Sequence, residues 1–135
     1  MSKLEEQLQE LSEHLSGFFV HEGLIPEIMS IIRKSGQGKN FFKIFYRRLD
    51  FLKSHGKTAQ EYHEEFERIN AEIYSMHIAS KFFNVRILYS FLDDGTILLR
   101  AFEEAGGKRS TDYTHQIPLA EDRLQIIKEE RNEYE

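Results

Sequence analysis

Leu4, Leu8, Leu11, Leu15 and Phe18 recur in steps of four, three, four and three, the spacing that lays apolar side chains along one face of an α-helix. Ser2 and Glu5 have the spacing of a capping box, in which each side chain answers the other residue's backbone N–H, so the helix is expected to begin there. Gly17 and Gly23 bracket Phe18, Phe19 and Val20, which predicts a break with a short extended piece. A second helix is expected over about 24–34, with Pro26 tolerated in its first turn. After a loop over 35–39, Phe42, Phe45, Leu49 and Leu52 form a further helical stripe, widened by Phe41 and Ile44 and stopped by Gly56. Tyr62 to Ile69 is acidic with few apolar positions and reads as a weak helix or a loop.

Beyond that point the period changes to two. Ile73, Tyr74, Met76 and Ile78 predict a strand, and Phe82–Leu92 and Thr96–Phe102 predict two more. The last two flank Asp94-Gly95, a dipeptide suited to the positive φ angles of a type I′ hairpin turn. Glu104 to Gln116, which includes Gly106-Gly107-Lys108-Arg109, reads as a polar connection, and Ile117, Ala120, Leu124 and Ile127 stripe a final helix. Helices, then a three-stranded antiparallel meander, then a helix is an α+β order. One face of such a sheet buries against helices, and the other must be polar enough for water or shaped for a partner.

Composition narrows the class. A chain of 135 residues has room for one domain, and 11 Phe with 6 Tyr carry more apolar ring surface than a disordered chain leaves in water. With no cysteine there is no disulfide scaffold, thiolate metal site or cysteine nucleophile, which fits a reducing compartment. No apolar run approaches the ~18 residues that span a bilayer, and no charged-then-apolar signal segment opens the sequence. A soluble cytoplasmic protein without membrane association is expected. The net charge of −5 argues against non-specific affinity for nucleic acid, but it is unevenly spread. Residues 36–57 hold six basic side chains and one acidic, within an otherwise acidic or neutral chain.

At the meander the residues themselves become familiar. Glu67-Arg68-Ile69, then Ile73-Tyr74-Ser75-Met76-His77, Asn84-Val85-Arg86-Ile87-Leu88-Tyr89 and Asp93-Asp94-Gly95-Thr96-Ile97-Leu98-Leu99-Arg100-Ala101-Phe102 are followed by a Lys-bearing loop and an amphipathic helix. This ordered set resembles the RelE superfamily of toxins, nearest its HigB-like branch. The helix ending Leu49-Asp50-Phe51-Leu52-Lys53-Ser54-His55-Gly56 is similar to the one that family places ahead of its meander. The resemblance covers about residues 40–130 and divides a single domain into a helical extension, 1–35, and a toxin-like core, 36–135. It implies a ribosome-dependent mRNA endoribonuclease of a type II toxin-antitoxin system, working without metal or cofactor. The implied partners are the ribosome, mRNA and a cognate antitoxin, frequently a helix-turn-helix DNA-binding protein. In such enzymes the RNA 2′-OH attacks the adjacent phosphate, so the site needs groups to take and return a proton and cations around the developing charge.

Each candidate has two uses. Arg86 sits where the family has a strand arginine, and its planar fork suits two phosphate oxygens; with an Asp94-Gly95 loop, it would instead lie opposite Glu103 and be spent on a cross-strand ion pair, whereas a one-residue shift in the turn would put Phe102 opposite. His77 and Lys81 flank the first strand turn. His77 stands where the family often has arginine and could act as general base or acid, or be a hydrogen-bonded strand histidine. Lys108 and Arg109 lie in the loop that the family points at the phosphate, and equally fit a solvated loop. Beside Asp112, Tyr113 is a candidate to stack on a base and His115 to move a proton. Arg100, a secondary candidate for substrate binding, either reaches solvent from the open sheet face or pairs with an acid. Lys39, Lys43, Arg47, Arg48, Lys53 and Lys57 could meet ribosomal RNA, or simply solubilise the Phe-striped helix. The Leu stripe at the start is core, a self-association seam or an antitoxin-docking helix. The alternative to a nuclease is a catalytically inactive or ParE-like toxin-fold protein that binds a protein target.

Overall fold

The structure, a computed structural model, describes residues 2–104 and 109–134. Helix α1 (Lys3–Leu15) starts where the sequence places it, with the Ser2 hydroxyl accepting from the Glu5 N–H at 3.1 Å. The extended piece is β1 (Phe19–Val20). Helix α2 (Leu24–Ser35) follows, and α3 (Gly38–His55) begins almost at once. The loop expected over 35–39 is shorter because Gly36, at φ 68°, closes α2 in the left-handed conformation while its N–H reaches the Ile32 carbonyl.

The acidic stretch after Gly56 holds neither a long helix nor only a loop. It forms a single-turn helix α4 (Ala59–Tyr62) and then β2 (Phe66–Arg68), in which only Phe66 is buried. Three antiparallel strands complete the meander: β3 (Tyr74–Ala79), β4 (Asn84–Leu92) and β5 (Gly95–Glu103). The fold is α+β, with a five-stranded sheet in the order β1-β5-β4-β3-β2. Only β1 is parallel to its neighbour, setting Phe19 beside Ile97 and Val20 beside Leu98.

The last helix, α5 (Arg109–Tyr134), starts well before Ile117, so most of the expected polar connection is helical and Pro118 lies inside it. Both sheet faces are therefore covered. On one, Met76, Ile78, Val85, Ile87 and Tyr89 pack in one cluster with Leu11 and Leu15 of α1, Leu24 and Ile28 of α2, and Phe41, Phe45 and Leu49 of α3. On the other, Ile73, Leu88, Leu99 and Phe102 pack under Ala120 and Leu124 of α5. The face expected to be polar or to await a partner is covered by the chain's own helix. The leading Leu stripe is core at Leu11 and Leu15, while Leu8 is exposed. Among the described residues no helix is long and apolar enough to cross a membrane.

The hairpin differs from expectation by one residue. Leu92 pairs with Gly95, so Asp93 and Asp94 make the turn and neither has a positive φ. Gly95 is already in β5, beneath the Phe19 ring; a Cβ there would lie 3.1 Å from a ring carbon. The glycine makes room for Phe19 rather than supplying a type I′ turn.

Candidate functional site

The shifted turn and a register break between Leu88 and Tyr89 decide what Arg86 faces. It lies between His77 on β3 and Phe102 on β5, while Glu103 pairs with Val85. Directly opposed residues share a sheet face, so His77, Arg86 and Phe102 form one row on the α5 side. Arg86 is only 4% exposed. Its Nε donates to Glu104 Oε2 at 3.2 Å, and a terminal nitrogen lies 3.9 Å from Glu67. A guanidinium this deep needs a carboxylate, since an uncompensated charge between two packed layers is costly. The ion pair considered for Arg86 exists, with Glu104 in the place of Glu103.

Helix α5 brings Tyr113 over this group. The Tyr113 ring lies 5.7 Å from the Arg86 guanidinium carbon and meets Phe102 edge to face at 6.1 Å. Its hydroxyl donates to Ser75 Oγ at 3.2 Å. Burial raises the Tyr113 pKa above its ordinary value, with the Ser75 hydrogen bond and Arg86 opposing. A residue expected in a flexible loop is thus a packed helical residue.

Both ring nitrogens of His77 are occupied, Nδ1 by Glu65 Oε2 at 2.7 Å and Nε2 by Asn84 Oδ1. Its main chain is held as well: the N–H donates to the Glu65 carbonyl, and the carbonyl accepts from Arg48 Nε at 3.0 Å. Burial lowers the pKa of Arg48, and Glu65 works against that shift. His77 therefore joins α3, the residue that precedes β2, and β4.

The other candidates are scattered. Arg100 leaves the sheet toward α2, where it pairs with Glu27, and its Nε donates to Gln116 at 2.7 Å. Glu27 also takes both terminal nitrogens of Arg123, at 3.0 and 2.7 Å, and the N–H of Ala101 at 3.1 Å. This carboxylate satisfies the β5 edge that β1 is too short to cover, and Arg123 adds a bond to the Leu99 carbonyl. Lys81 is exposed in the turn after β3, its ammonium 5.1 Å from the Phe82 ring centre. His115 is exposed on α5, off the stripe that faces the sheet. Lys108 lies outside the described residues. So does the side chain of Arg109, whose backbone opens α5.

The structure thus brings together His77, Arg86 and Tyr113 and separates them from Arg100, Lys81 and His115. Sequence reasoning missed the acids that bind this group: Glu65, Glu67 and Glu104. Glu104 carried a readable signal, being the first acid beyond the strand on the Arg86 side of the pleat. Among the described residues, no three His, Asp or Glu side chains are grouped to hold a metal ion. Comparison with family models, curated proteins and solved structures returned no match.

Proposed function

We propose that the chain is a RelE-superfamily toxin of the HigB-like branch, a metal-independent endoribonuclease that cuts mRNA on the ribosome and is restrained by a helix-turn-helix antitoxin. The observation that supports this reading is the row of His77 and Arg86 on adjacent strands with Tyr113 above it. A guanidinium, an imidazole and a phenol at one end of the sheet are the groups needed to stabilise a phosphorane, move a proton and stack on a base.

A second reading is favoured by one specific observation. Arg86, His77 and Arg100 each already have a carboxylate partner. A toxin-fold protein whose cations serve its own architecture binds its target without cutting it.

Purified protein, ribosomes and a translated mRNA separate the two. The nuclease reading expects cleavage of ribosome-bound message, with Arg86→Lys and Lys108→Ala each lowering the rate by about 10²- to 10³-fold. No cleavage by the intact protein, with folding verified by circular dichroism, overturns the nuclease reading and leaves the binding one.

A further inference from the structure

Between Glu27 and Asp50 the chain contains six Lys and Arg and no acid, although acids outnumber bases overall by 23 to 18. The fold places this stretch at the corner where α2 ends and α3 begins. Arg48 is spent on the His77 carbonyl. The other five, Arg33, Lys34, Lys39, Lys43 and Arg47, are exposed, and none has an acidic or aromatic partner among the described residues. On α3 the last three recur every four residues, which stacks them along one face with about 6 Å of rise per step. Arg33 and Lys34 lie in the last turn of α2, on the other side of the Gly36 turn.

The surroundings identify the occupant. Among the described residues the exposed large apolar side chains are Leu8, Phe19, Tyr62, Phe82, Leu119 and Ile126, and none lies on α2 or α3. A surface that enters a membrane interface pairs its cations with an apolar face. A protein interface centres on buried aromatic or apolar anchors. Cations without such anchors fit a partner recognised by charge alone, the phosphate backbone of a nucleic acid. We infer that the α2–α3 corner is a docking surface for the sugar-phosphate backbone of structured RNA, on the face of the sheet away from Arg86. The choice of RNA over DNA rests on the function proposed above.

The test is binding of the full chain to purified ribosomes, an RNA duplex and a DNA duplex of the same sequence across a salt series. Wild type is compared with a variant carrying Lys39→Gln, Lys43→Gln and Arg47→Gln. The expected result is ribosome and RNA-duplex binding that weakens at least tenfold in the variant. The slope of log affinity against log salt should become shallower by about 2 to 3, at roughly 0.9 or less per phosphate contact removed. Unchanged affinity and slope in the variant, tighter binding to DNA than to RNA, or no ribosome or RNA binding by wild type overturns the inference. Cleavage assayed in parallel keeps the two claims apart. A wild type that docks through these residues and cuts nothing overturns only the nuclease; one that cuts while the variant docks equally well overturns only the docking surface.

Discussion

Arg86 and Arg47 carry the same side chain in regular elements, yet Arg86 is clamped to Glu104 between two layers while Arg47 is exposed on α3 and makes no ion pair among the described residues. The same division separates the two regions they belong to. At the sheet, Arg86, Arg100 and Arg123 each have a carboxylate, because a cation between the sheet and a helix cannot keep its hydration. At the α2–α3 corner, water solvates the cations and no partner is required. A basic residue's availability to a ligand is therefore set by the layer it occupies. Of those that a toxin resemblance selects, His77, Arg86 and Arg100 lie in the sheet, where the fold already makes use of them.

The sharpest way to break this comparison is Arg86→Ala. It leaves Glu104 buried without the guanidinium and is expected to cost about 3–5 kcal/mol in urea unfolding. A loss under 1 kcal/mol would mean that the pair is as dispensable as a surface one.

Tyr113 offers an intermediate effect that depends on pH. Because burial raises its folded pKa, the neutral phenol contributes stability that is complete below its unfolded value of about 10 and is lost as pH rises through the folded value. Stability measured from pH 9 upward should fall, and fall less in Tyr113→Phe, which at neutral pH loses about 1 kcal/mol with the Ser75 hydrogen bond. An identical alkaline decline in both proteins would show that Tyr113 is not buried over Arg86.

The smallest effect is expected at the corner. The Lys39, Lys43 and Arg47 glutamine variant should unfold within about 0.5 kcal/mol of wild type, as surface changes away from packed features do. A larger loss would mean that the stripe is structural after all.

The elements with strong periodic signals were legible. The Ser2 cap, the Phe stripe of α3 and the two long strands all follow from local pattern. β2 was not, because three residues with one buried side chain carry no alternation to detect. The start of α5 was hidden by its polar composition and by Pro118, since what holds that turn in place is tertiary: Tyr113 against Phe102 and Gln116 against Arg100. Gly95 misled for a related reason, its small size serving the Phe19 ring from the other end of the chain. At the candidate site the residue types were readable. Their partners were not, because register depends on a one-residue turn shift and a bulge that nothing local announces.

The two-residue strand β1 and the Glu27 carboxylate have a consequence for the order in which the molecule becomes itself. Among the described residues β1 pairs with β5 alone, and Glu27 reaches Arg123, 96 residues on. Contacts this distant close late, after the loop between them has been gathered. During synthesis the first helices emerge without the strand edge and the cations they are built to meet. The sheet face bearing Arg86 stays uncovered until α5 has been made, so the growing chain passes through a stage in which that arginine is open to solvent.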